Sequence, residues 1–242
     1  MQKNTELFVT FLGYKIYCGS KDGILNIQGK YIATINPHSA VVAESDNNFR
    51  RSLVNADFLI PDGIGIVWAI SFFAKRNISQ LTGPEMMDHA LQHANKKKLK
   101  VFFLGSTNEV LDSIKIQLKM LYPNIISQSL SPPFKEELTI QDDKNIIKEI
   151  NKFEPDYLFI GMTAPKQEKW AFKNKSKIHA KKIFPVGAAF DWFSGSKTPP
   201  SNFAKKYNMI SLERFIREPR IWKRIFISIP KFILLSVREW NR

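Results

Sequence analysis

The strongest constraint on this chain is a recurring unit: a short apolar run, a turn residue at its end, then a segment of helical periodicity. It is clearest at Lys100–Val101–Phe102–Phe103–Leu104, where Gly105 turns the chain. Ser106, Thr107 or Asn108 is placed to cap, and Val110 to Leu121 carries the helical spacing. Lys30 to Ile35 is extended and ends at Asn36–Pro37, where proline disfavours helix at Asn36 and opens one at its own position. Ser39 to Val54 then reads as one helix. Phe58 to Pro61 is a short buried strand, followed by Asp62–Gly63–Ile64–Gly65 and a helix over Ile66 to Ala74. Met86 to Ala94 and Ile146 to Phe153 are further helices; Asp156 to Ile160 and Lys182 to Gly187 are further strands. Strands alternating with helices predict an α/β fold with a Rossmann-like, mostly parallel sheet flanked by helices. Ligands in such sheets bind beyond the carboxyl ends of the strands, which is where Asn36, Asp62–Gly65 and Gly161–Gln167 fall.

The last part of the chain has a different character. From Lys197 onward it holds 11 Lys and Arg against 3 Asp and Glu, a net of +8 out of +14 for all 242 residues. Trp222, Ile225, Phe226, Ile229, Ile233 and Val237 recur at helical spacing, with Arg220, Lys223, Arg224 and Lys231 mostly on other sides. A basic, aromatic, amphipathic helix suits a surface of lipid phosphates. The expected division is therefore an α/β domain over 1–197 and a basic membrane-associating appendage over 198–242. No uncharged stretch reaches the ~18 residues that span a bilayer, and no signal peptide is read at the N-terminus. The expected location is cytoplasmic, peripherally on the inner face of the cell membrane. The single cysteine, Cys18, rules out an internal disulfide and reads as packing rather than as a nucleophile. The net charge would also permit nucleic-acid binding, but no zinc finger, RNP-type strand or helix-turn-helix is found, so no nucleic-acid partner is expected.

Three segments carry residues suited to chemistry. Asp62 follows a strand directly, and Gly63 and Gly65 would let a ligand approach the backbone. It reads either as a general base or as an Asx-turn capping the next helix. Neither G-x-G-x-x-G nor G-x-x-x-x-G-K-[ST] occurs, and Gly105 stands alone after its strand. In Gly161–Met162–Thr163–Ala164–Pro165–Lys166–Gln167–Glu168, Lys166 could meet a phosphate and Gln167 a sugar or base. The alternative is a solvated helix start. Asp191, between Phe190 and Trp192, could hold a sugar hydroxyl or belong to a helix cap. Asp142–Asp143 reads as a solvated helix start. No cluster of metal-ligand residues is found, so neither metal nor cofactor is expected.

Taken in order, these residues resemble the WecB/TagA/CpsF glycosyltransferases. The resemblance rests on Thr34-x-Asn36, Ala56–Asp57, Pro61–Asp62–Gly63-x-Gly65, Leu81–Thr82–Gly83 and Val101 to Gly105, then Tyr122–Pro123. It continues through Gly161-x-x-x-Pro165–Lys166–Gln167–Glu168-x-Trp170, Val186 to Asp191, and Arg214-x-x-x-Glu218–Pro219–Arg220 with Arg224. It implies an inverting, metal-independent transfer of an N-acetylmannosamine-like sugar from a UDP-sugar to a polyprenyl-diphosphate-linked sugar acceptor, in cell-surface polysaccharide synthesis. It also implies Asp62 as general base, Thr34 and Asn36 in the same pocket, and Gln167 as a substrate contact. Gly63, Gly65, Gly105 and Asp191 are expected to line the substrate. Arg214, Arg220 and Arg224 are expected to stabilise the departing diphosphate, on an appendage that helps hold the protein on an anionic membrane. The chain departs from the pattern at Gln80, where the family has arginine, at Thr198–Pro199–Pro200 and at Met209–Ile210–Ser211. A non-catalytic nucleotide-sugar-binding or scaffold protein of the same pathway is the alternative, and a homo-oligomer is left open.

Overall fold

The computed structural model describes residues 7–198, 213 and 222–240. These fall into two compact units, one within Met1–Ile24, Thr34–Thr82 and Pro200–Arg242, the other within Leu25–Ala33 and Gly83–Pro199. The fold is α/β as expected. Its strands, however, form two four-stranded sheets rather than one.

The first sheet has the order β1-β2-β4-β3. Strands β1 (Phe8–Phe11) and β2 (Tyr14–Tyr17) are an antiparallel hairpin with Phe11 opposite Tyr14. Its two turn residues, Leu12 (φ 53°) and Gly13 (φ 72°), both have positive φ, as the tight hairpin turns that match strand twist require. Strand β2 then runs parallel to β4 (Phe58–Pro61), and β3 (Ile32–Ile35) lies on the far side of β4. The core here is aromatic: Tyr17 meets Phe58 edge-on at 5.1 Å between ring centroids. Burial pushes the Cys18 thiol up from its ordinary value, which suits packing and not a thiolate nucleophile.

The stretch predicted as one helix is two, α2 (Pro37–Ser45) and α3 (Asn47–Val54). The break falls at Asp46, whose carboxylate accepts from the Phe49 N–H at 2.9 Å and so caps α3. Helix α4 (Ile64–Phe73) follows β4.

The C-terminal helix, α10 (Trp222–Trp240), packs on α2 and α4. Its buried face is Ser228, Phe232 and Ser236, at 3%, 4% and 1% exposure. Ser228 Oγ lies 2.7 Å from His38 Nδ1, and Ser236 Oγ donates to the Phe232 carbonyl. Phe226, Ile229, Ile233 and Val237 of the predicted stripe face outward.

The second sheet is wholly parallel, β6-β5-β7-β8, from β6 (Ile126–Leu130), β5 (Lys100–Leu104), β7 (Tyr157–Ile160) and β8 (Lys182–Pro185). Parallel strands covered on both faces are continuously apolar, and β7 and β8 are buried throughout. Phe159 stacks on Phe103 and Phe184 at 5.6 and 5.1 Å. Its helices are α5 (Gly83–Lys97), α6 (Asn108–Leu121), α7 (Ile140–Phe153), α8 (Lys166–Asn174) and α9 (Ala189–Phe193); α1 (Lys21–Asn26) lies near the N-terminus. Asp142 forms a capping box with Thr139 at the start of α7. Asp143 is not solvated: it is 5% exposed and accepts from Trp170 Nε1 at 2.8 Å and Lys173 Nζ at 2.7 Å.

Candidate active site

In the first sheet the ends of β3 and β4 stand side by side, because the Asp62 N–H donates to the Ile35 carbonyl at 2.8 Å. That bond brings Asn36 and Asp62, 26 positions apart in sequence, to adjoining strand ends. Asn36 caps α2: its Oδ1 accepts from the Ser39 N–H at 2.9 Å while Ser39 Oγ accepts from the Asn36 N–H at 2.8 Å. The amide N–H donors of Asn36 are the part of that side chain not used by the cap. The cap position of α4 falls on Gly63 (φ 101°), which has no side-chain cap. Asp62 stands one residue before that cap position.

Gly65 has a packing reason as well. A Cβ there would come within 2.9 Å of Pro37 Cγ, so glycine lets the first turns of α2 and α4 approach each other. Two helix N-termini thus lie at these strand ends, and their partial positive charge favours an anion. Thr34 is half-buried in β3, and Asp62, Gly63 and Gly65 are half-buried too. The Leu81 N–H donates to the Pro61 carbonyl at 2.9 Å, bringing Gln80 to Thr82 beside the end of β4. Gln80 Oε1 is buried without a hydrogen-bond partner where the resemblance has a charged arginine.

The second group lies at the carboxyl ends of β5, β7 and β8. Gly105 (φ 109°) packs against the backbone of Gly161, where a Cβ would come within 2.9 Å. Gly161 in turn lies under the ring of Phe190, with room for no side chain. Gln167 and Glu168 open α8 but are 4% and 3% exposed, so the solvated helix start is corrected. Gln167 Nε2 donates to Glu168 Oε1 at 2.8 Å. The outer oxygens, Gln167 Oε1 and Glu168 Oε2, have no partner. Burial pushes the Glu168 carboxyl up to about 7, against smaller opposing effects of its bonds to Gln167 and the backbone. Lys166 reaches the Lys135 carbonyl. Asp191 sits in the first turn of α9, paired with Lys197 at 2.5 Å.

Sequence reasoning passed over Glu168 and Asp143. Each is a charged residue in a polar-looking helix start, with no local signal of burial. Arg214 and Arg220 lie outside the described residues; Arg224 lies in α10, with its side chain outside the described part. Among the described residues no three His, Cys, Asp or Glu side chains converge as a metal site.

In open α/β sheets ligands bind beyond the carboxyl ends of the strands, which is where these carboxylates and glycines lie. The model of the glycosyl transferase WecG/TagA/CpsF family matches residues 9–242, and the chain belongs to that family; it is a glycosyltransferase. It is 30% identical over 211 residues to the N-acetylglucosaminyldiphosphoundecaprenol N-acetyl-beta-D-mannosaminyltransferase of Bacillus subtilis (strain 168), covering 87% of this chain and 80% of that protein. It is 31% identical over 205 residues to the enzyme of the same description from Staphylococcus aureus (strain MW2), covering 84% and 78%.

Proposed function

We propose that this protein transfers an N-acetylmannosamine-like sugar from a UDP-sugar to a polyprenyl-diphosphate-linked N-acetylglucosamine acceptor. The observation that carries the reading is the pairing of the β3 and β4 ends, which sets Asp62 and Asn36 at adjoining strand ends beside two helix N-termini. The described activities of the two relatives support the choice of sugar and acceptor. In the proposed step an acceptor hydroxyl attacks the anomeric carbon as its bond to the UDP phosphate oxygen breaks. Asp62 takes the hydroxyl proton, and UDP leaves with the bonding pair. Thr34 and Asn36 orient the reacting sugar, and Gln167 and Asp191 contact the substrates. Arg214, Arg220 and Arg224 offset the charge growing on the diphosphate.

The test is a donor screen: UDP-sugars with a short-chain lipid-diphosphate N-acetylglucosamine, followed by UDP release with and without EDTA. Release with UDP-N-acetylmannosamine that EDTA does not change is expected. Release with none of the donors would remove the reading, and loss in EDTA with rescue by Mn²⁺ would overturn the metal-free mechanism.

The reading includes peripheral attachment to the inner face of an anionic membrane. No described helix is long and apolar enough to cross one. What supports attachment is helix α10, which turns two serines and one phenylalanine to the protein. Phe226, Ile227, Ile233 and Leu234 are left 65%, 56%, 54% and 51% exposed. Trp68 and Phe72 of α4, on which α10 packs, are exposed as well. Lys231 and Arg238 are exposed on the same helix and suit lipid phosphates. Replacing Phe226, Ile233 and Leu234 by serine should release the protein from anionic vesicles in a flotation assay while leaving turnover on a soluble acceptor. Unchanged flotation, or a change only in oligomeric state, would assign that face to something other than lipid.

A further inference from the structure

Gln167 and Glu168 form a buried pair whose chemistry the reaction outlined above does not use. A glutamine amide has two ends, a donor and an acceptor, and rotation by half a turn exchanges them. Here one end is occupied. Nε2 donates to Glu168 Oε1 at 2.8 Å, and an ionised carboxylate can only accept. With the carboxylate ionised, Nε2 therefore faces Glu168 and Oε1 faces the other way. Gln167 Oε1 is buried and has no partner in the protein, so an acceptor is held ready with nothing of the chain to receive. The amide lies against Gly187 (φ 52°), on the turn that follows β8; a Cβ there would come within 3.4 Å of Nε2 and 3.5 Å of Oε1. The positive φ there is what favours glycine, and the turn packs directly on the amide.

The carboxyl group is enclosed as well. Glu168 is 3% exposed, and its own backbone carbonyl accepts from Tyr31 Oη at 3.3 Å. No cation is paired with the carboxyl, Oε2 has no partner, and burial alone raises its proton affinity. A buried acid arranged in this way costs stability when it ionises. Glutamine would fill the same space at lower cost, so the carboxylate needs a reason other than folding.

We propose that Glu168 is a positioning residue: it fixes the polarity of the Gln167 amide so that Oε1 is presented as an acceptor to an N–H or O–H group of the UDP-sugar. The proposal rests on the reading of this chain as a UDP-sugar transferase with Gln167 as a substrate contact. Its polarity lock can be measured without any activity.

The experiment compares four proteins at pH 8, where the carboxylate form prevails: wild type, Gln167→Ala, Glu168→Gln and the exchange variant carrying both Gln167→Glu and Glu168→Gln. The lock is read by NMR from the Gln167 side-chain amide pair, assigned by its loss in Gln167→Ala. It should exchange slowly with solvent in wild type, and the protection should fall in Glu168→Gln. Exchange as fast as that of a surface glutamine in wild type overturns the lock, whatever the enzyme does. The role is read from kinetics with UDP-N-acetylmannosamine. Loss of one oriented hydrogen bond to the donor should raise KM about tenfold in Glu168→Gln, with kcat changed much less. The exchange variant again has an acceptor-only carboxylate at position 167, now receiving from the amide at 168, and should recover most of the lost KM. A purely structural role for Glu168 predicts a lowered Tm in Glu168→Gln and no recovery in the exchange variant, and that result would overturn the proposal. An altered KM in Gln167→Ala with none in Glu168→Gln would overturn it too. Absence of turnover in wild type with every donor would instead remove the underlying functional reading, while the NMR result still decides the lock.

Discussion

Asp62 and Glu168 both follow a parallel strand through a turn rich in glycine or proline, and both stand at or near the start of a helix. Their surroundings are opposite. Asp62 is half-buried just before the first turn of α4, with the first turn of α2 packed close by. Glu168 is enclosed, meets one neutral amide and leaves an oxygen unpartnered. A third carboxylate, Asp143, is as buried as Glu168 but receives an indole N–H and a lysine ammonium. Burial therefore does not by itself define what a carboxyl group does. For the two buried ones, the number and charge of the donors separate a structural clamp from a proton-holding acid.

The largest expected effect would break the comparison at Asp62. Asp62→Asn should keep the fold and nucleotide binding yet lose ~10²–10⁴-fold in transfer rate, as removal of a general base does. Turnover like that of wild type at saturating substrate would show that this carboxylate is not the base.

A smaller effect separates Glu168 from the other two. Its carboxyl lies near 7 in the folded protein against an ordinary 4.5. The folded state thus holds the proton more tightly than the unfolded chain. The stability this contributes is complete below 4.5 and is lost as pH rises through about 7. The loss is on the order of 3 kcal/mol above that range. Urea unfolding of wild type and Glu168→Gln from pH 4 to pH 9 should show the slope in wild type and its absence in the variant. Parallel curves would show that Glu168 is paired in solution.

The smallest of the three effects has the opposite sign. Asp143→Ala leaves the indole N–H of Trp170 without its acceptor and removes the tie from α7 to α8. Stability should fall by about 1–3 kcal/mol at neutral pH, where Glu168→Gln should raise it. A neutral result at Asp143 would remove the distinction between a donor-rich and a donor-poor buried carboxylate.

Much of this architecture is written locally. Apolar runs at 101–104, 157–160 and 183–185 became strands because a continuously apolar segment three or four residues long has few other ways to be buried. Asn36–Pro37 became a capped helix start because the cap and the proline act within three residues. Strand β6, Ile-Ser-Gln-Ser-Leu, left no such trace: it lies at a sheet edge, mostly exposed, and owes its extension to pairing with β5. The hairpin of β1 and β2 carried a local signal, two apolar runs separated by Leu12–Gly13, that was not read.

The sequence by itself determined the α/β class, the order of the central elements and the family motifs, because periodicity, capping and turn chemistry act over a few residues. Only the tertiary structure decided that the strands divide between two sheets and that Gln167, Glu168 and Asp143 are buried. It alone decided that α10 shows its apolar side outward. Each of these depends on which distant segment covers a given face. Helical spacing marks two sides of a helix but carries no information about which side meets the protein, and a carboxyl group's environment is set by residues tens of positions away.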